Sequence, residues 1–144
     1  MAITSAICNS FKQEILEAEH NFTASTGNTF NLALYDSDAT LNKSTTAYTT
    51  SEELATTGGY TAKGNALTSV TPVLDSDTAV CDFSNSSWTS ASFTARGCLI
   101  FNDSHSSDAA VCAIDFGGDK TVSSGTFTIQ FPAAAASTAI LRIA

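Results

Sequence analysis

From Thr29 to the end of the chain, large apolar residues recur at alternate positions in short runs broken by Gly, Pro, Asn, Asp and Ser. Successive side chains of an extended strand point to opposite faces, so this period of two specifies strands with one buried face. Phe30, Leu32 and Leu34 alternate with Asn31, Ala33 and Tyr35, which predicts a half-buried strand ending at the Asp36-Ser37-Asp38 turn. Further strands are predicted at 66–72, 78–83, 88–102, 109–116, 125–131 and 138–143. The 88–102 stretch is too long for one regular strand, and Gly97 marks a bulge or bend in it. About seven short strands at such spacing predict a mainly β fold, an antiparallel β-sandwich or open barrel.

The first twenty residues follow a different period. Ile3, Ile7, Phe11, Ile15 and Phe22 fall near one face at helical spacing and Lys12, Glu14, Glu17 and Glu19 fall mostly on the other. This predicts one N-terminal amphipathic α-helix over about 3–20, capped by Thr4 or Ser5. The β-domain then runs over about 28–144, and the whole of 1–144 reads as a single domain. Residues 39–64 are rich in Thr, Ser and Gly, and are expected to form a long surface excursion with one helical turn at Ser51-Glu52-Glu53-Leu54. Gly117-Gly118 reads as a turn between two strands.

Composition narrows the function classes. The net charge of −8 disfavours nucleic acid and anionic lipid as partners. Only 14% of residues are charged, against about 25% in an average domain, while Ser and Thr make up about 28%, so the surface is largely hydroxyl. The opening residues lack the basic flank and continuous apolar core of a signal peptide, and no apolar run is long enough to span a bilayer. Cytosolic synthesis follows, with Cys8, Cys81, Cys98 and Cys112 as buried free thiols rather than bridges, and with the glycosylation sequons without meaning.

No spacing assembles a catalytic or metal-binding constellation. Asp36 with Asp38 and Asp75 with Asp77 lack the further oxygens that calcium needs and read as turns. Asp103-Ser104-His105 puts a base and a nucleophile side by side, but triads are built from residues distant in sequence, and no G-x-S-x-G elbow accompanies them. Asp115-Phe-Gly-Gly-Asp-Lys120 lacks the spacing of a phosphate cradle. The expectation is a non-enzymatic chain with no catalytic residue, cofactor or metal. Two binding readings remain: an apolar protein interface through Ile3, Ile7 and Phe11 of the helix with Tyr48, Leu54 and Tyr60 of the excursion, and an aromatic sugar platform of Trp88, Tyr48 and Tyr60, with Tyr35 a further aromatic. Arg96 and Arg142, rare cations here, are candidates for charge contacts between subunits.

Four stretches carry a resemblance: Ala2-Ile-Thr-Ser-Ala-Ile-Cys-Asn-Ser-Phe-Lys-Gln-Glu-Ile-Leu16, Phe30-Asn-Leu-Ala-Leu-Tyr35, Phe93-Thr-Ala-Arg-Gly-Cys-Leu-Ile-Phe-Asn102, and Asp115-Phe-Gly-Gly-Asp-Lys with Phe127-Thr-Ile-Gln-Phe-Pro132. The chain resembles a family of small virion-associated proteins encoded by tailed phages of aquatic bacteria. The resemblance implies a structural component of the virion, made in the host cytoplasm. A capsid decoration or cement protein is one form of it, with the major capsid protein and copies of itself as partners, in trimers for many proteins of that kind. A tail, tail-tube or fibre component, including a receptor- or glycan-binding module, is the alternative.

Overall fold

The computed structural model describes residues 2–144. The chain forms β1 (Ala6–Ile7), α1 (Asn9–Leu16), β2 (Phe30–Tyr35), β3 (Asn65–Ala66), β4 (Ser69–Asp75), β5 (Thr78–Phe83), β6 (Ser86–Asn102), β7 (Ala109–Ile129) and β8 (Leu141–Ile143). These make two antiparallel sheets, one of five strands in the order β1-β7-β6-β2-β3 and one of three in the order β4-β5-β8. The fold is mainly β with one short N-terminal helix, as the period of two requires, and the sheets do not close into a barrel. They share one core, in which Phe83 of the small sheet packs 5.9 Å from Phe30 and 6.2 Å from Phe22.

The helix is shorter than its apolar period suggests. Residues 3–7 are extended because backbone partners elsewhere capture them: Ile3 bridges Leu41 in parallel, and Ala6 and Ile7 pair with Ala113 and Cys112 of β7. The N-cap is Cys8, without a side-chain bond, rather than Thr4 or Ser5. Ser5 Oγ instead accepts the Asp115 N–H. Beyond the helix, Ala18 adopts φ +62° and ends the helical path.

β2 is buried at all six positions rather than on one face. The cause is the 39–64 segment, which is not a surface excursion but a cover for the edge of β2. Tyr35 bridges Glu53, the Leu54 N–H donates to Leu34 O, and the Tyr60 hydroxyl accepts the Leu34 N–H. Ala39, Leu41 and Tyr60 are buried within it. The predicted helical turn at 51–54 is absent, since Glu52 has φ +60°. The cover closes at Gly64, whose φ is +65° and where an added Cβ would lie 1.8 Å from Leu32 O. Gly64→Ala is therefore expected to lose at least about 2 kcal/mol, read as a lower urea midpoint with an unchanged m-value.

The predicted strands at 109–116 and 125–131 are one continuous strand, β7, paired along its length with β6. Gly117-Gly118 is not a hairpin turn. The register steps from Gly97↔Asp115 to Ala95↔Lys120, so the residues between Asp115 and Lys120 bulge out opposite Arg96. The Asp115 carboxylate holds this bulge by accepting the Gly117 N–H and the Arg96 Nε–H, each at 2.9 Å. The irregularity beside Gly97 thus has its extra residues on the partner strand, and β6 itself runs as one strand over Ser86–Asn102, which corrects the expected interruption at Gly97.

Candidate interaction surface

The end of α1 and the small sheet diverge into an open wedge of about 410 Å³. Phe11, Ile15 and Leu16 form its helical wall, while Ala79, Leu141 and Ile143 form its sheet wall. Cross-strand partners share a face, and the register aligns Leu74 and Ile143 with Ala79, so these three form one apolar row. The row and the helix end are open to solvent: Leu16 is 88% exposed, Leu74 74% and Ile143 64%. Exposed large apolar side chains that gather in this way mark an interaction surface rather than ordinary scatter. Lys12 and Arg142 also line the wedge, and among the described residues no carboxylate does.

A second concavity of about 480 Å³ lies along β7, lined by Phe116, Phe127, Ile129, Phe131 and Ile140 with Lys120. Among the described residues, β1 pairs with β7 only at Cys112 and Ala113, which leaves that edge of β7 from Ile114 onward without a strand partner.

The sequence-predicted interface residues divide between core and surface. Ile3, Phe11 and Tyr60 are buried and are corrected to core positions, although Phe11 also reaches the wedge. Ile7 is half-buried and lines it. Tyr48 and Leu54 are half-buried against the core in the 39–64 segment, away from the wedge. Phe11→Asp is accordingly expected to prevent folding, because it buries an unpaired charge, whereas Leu16→Asp should leave the melting temperature within about 2 °C of wild type. Circular dichroism of the two variants checks the pair.

The sugar platform does not form. Trp88 is 4% exposed and Tyr60 1%, both packed against Phe93, so neither offers a ring face to solvent. Tyr48 stacks on Phe101 at 4.8 Å. Arg96 is held within its own chain, 2.9 Å from Asp115 and 3.9 Å from Asp119. Arg142 is exposed and donates to Ala136 O at 3.2 Å.

The polar loops hold structure rather than chemistry. Asp103 pairs with Lys63 at 2.8 Å, Ser104 Oγ accepts the Thr29 N–H, and His105 faces Ser107 Oγ at 2.9 Å and Glu19 at 3.5 Å. The adjacent Asp103, Ser104 and His105 therefore do not assemble with one another. His20 is buried between Glu14 at 2.7 Å and Asn102 at 3.1 Å. Asp36, Asp38 and Glu52 bring three carboxylate oxygens within 4.8 Å of one another, about half of what calcium takes, and Asp36 already accepts the Asp38 N–H.

One group escaped sequence reasoning. Glu53 accepts hydrogen bonds from the Tyr48 hydroxyl at 2.5 Å, the Tyr60 hydroxyl at 2.7 Å and the Lys63 N–H at 2.6 Å. It pins the cover over β2, and the only signal for it was a carboxylate among tyrosines in a segment of low charge. The Tyr48 phenol is pushed up to about 12, first by desolvation and then by its bond to Glu53. Lys63 spans Asp103 and Asp108 at 2.8 and 2.9 Å, and these bonds raise its ammonium pKa. Comparison with family models, with curated proteins and with solved structures finds no match to this chain.

Proposed function

We propose that the chain is a non-enzymatic structural protein of a tailed-phage virion that decorates the assembled head lattice and stabilises it. The observation that carries the binding part is the wedge, lined by exposed Leu16 and Ile143, with exposed Leu74 in the same cross-strand row as Ile143, on an otherwise hydroxyl-rich, acidic surface. The resemblance to small virion-associated proteins supplies the setting. The sugar-binding alternative lacks a platform, since Trp88 and Tyr60 are buried.

The mechanism is linkage. A module that binds the assembled lattice and not its separated subunits lowers the free energy of the assembled state by mass action, by about 2.7 kcal/mol per site at a hundredfold excess over Kd. Repeated copies add avidity without new kinds of contact. A small core sealed by its own cover over β2 suits a part that must stay folded while it holds others together.

Add-back to particles stripped of this protein tests the reading. Purified chain is expected to rebind to saturation at lattice copy number and to raise the temperature at which the particles release DNA. Rebinding of only a few copies, with the release temperature unmoved, would place the protein on the tail or fibres instead.

A further inference from the structure

We infer that the wedge is a docking site for a second copy of this chain, in a two-fold pair where each copy's β4–β5 hairpin tip enters the other's wedge. Among the described residues, the large apolar side chains that stand exposed are Leu16, Val70, Val73, Leu74 and Ile143. All five belong to α1, β4 or β8, the elements around this one edge. Leu16 and Ile143 line the wedge, while Val70, Val73 and Leu74 lie on β4, the strand that leads to the hairpin tip.

Charge says what fits there. Two of the chain's six Lys and Arg residues, Lys12 and Arg142, line the wedge without a carboxylate beside them. The occupant must therefore be apolar and carry negative charge. The hairpin tip is such a segment: Leu74 stands next to Asp75-Ser76-Asp77, and all four are exposed. Asp75 is engaged with the Ala136 N–H at 2.6 Å, but Asp77 forms no hydrogen bond or ion pair among the described residues.

Symmetry follows from position. The tip and the wedge lie on the same edge of one molecule, so the patch is self-complementary and suits a closed two-fold contact, in which each residue pair occurs twice. A net charge of −8 opposes association elsewhere on the surface, so pairing depends on Lys12 and Arg142 meeting the acidic tip. Self-docking rests on the same wedge that carries the virion proposal; solution mass tests the pairing and particle location tests the virion role, so the two failures are distinguishable.

Sedimentation equilibrium of the full chain at hundreds of micromolar tests the contact. Wild type is expected at twice 14.9 kDa. Leu16→Asp and Ile143→Asp should sediment as single chains with unchanged melting temperatures, because both side chains are exposed in the isolated fold. Lys12→Glu should weaken pairing about tenfold, and adding Asp77→Lys to it should restore pairing, since a two-fold contact brings the reversed pair together twice. A wild type at 14.9 kDa at every concentration overturns self-docking and leaves the wedge to a different acidic partner. Pairing that survives Leu16→Asp and Ile143→Asp, or that Asp77→Lys fails to restore, overturns it equally.

Discussion

Brought to pH 11, the protein is expected to unfold cooperatively, having been fully folded at pH 8. All four cysteines are buried free thiols. Burial pushes Cys8 up to about 11, with Glu14 adding to the rise, and pushes Cys81 and Cys112 up to about 12. Cys98 is raised in the same direction by its burial. Tyr35, Tyr48 and Tyr60 are likewise raised, first by desolvation. A group whose pKa is higher in the folded state contributes stability that is complete below its unfolded pKa and is lost as pH climbs toward its folded one. For the thiols that window opens at 9, and each costs about 1.4 kcal/mol per pH unit within it. Cys8, Cys81 and Cys112 together across that window reach the order of a domain's whole stability, about 5–15 kcal/mol, and Cys98 adds in the same direction. Circular dichroism against pH checks this, together with a thiol reagent at pH 8 that should label none of the four until denaturant is added. Early labelling, or a fold that persists well above pH 11, would contradict the burial.

Glu53→Ala is expected to cost about 3 kcal/mol, because two tyrosine hydroxyls and the Lys63 N–H lose a charged acceptor together. Tyr60 would also lose the anchor that aims its hydroxyl at the Leu34 N–H, a buried edge amide of β2. The melting temperature should fall by about 10 °C. Glu53→Gln should lose only about 1 kcal/mol, since its carbonyl still serves Tyr60 and Lys63 while its amide donates to the Tyr48 oxygen. Equal losses in the two variants would mean that charge, rather than hydrogen-bond geometry, holds the cover in place.

Local pattern carried most of the fold. Phe30–Tyr35 and Thr78–Phe83 lie where the sequence pattern placed them, because each is a short apolar-rich run between turn residues. Pattern failed where distant backbone decided the outcome. Residues 3–7 have a helical apolar period, but Leu41 and β7 offered them strand partners. Gly117-Gly118 carries the signature of a turn, but Arg96 and Asp115 fold those residues into a bulge of an unbroken strand.

The candidate surface was half legible for the same reason. A helical period puts Ile7 and Phe11 on one apolar face, but Ile7 lies half-buried in β1 and Phe11 proved to be mainly core. Leu16 and Ile143 became a surface only when β8 paired with β5 opposite the helix end. Trp88 and Tyr60 were misread because aromatic content alone does not tell an exposed ring from one packed against Phe93.

Cryo-electron microscopy of intact particles that carry this chain tests the central proposal most directly. The account predicts density of this fold repeated over the icosahedral head, with the edge formed by Leu16, Leu74 and Ile143 covered by neighbouring protein. Density confined to the tail or fibres, or none on the particle, would contradict it.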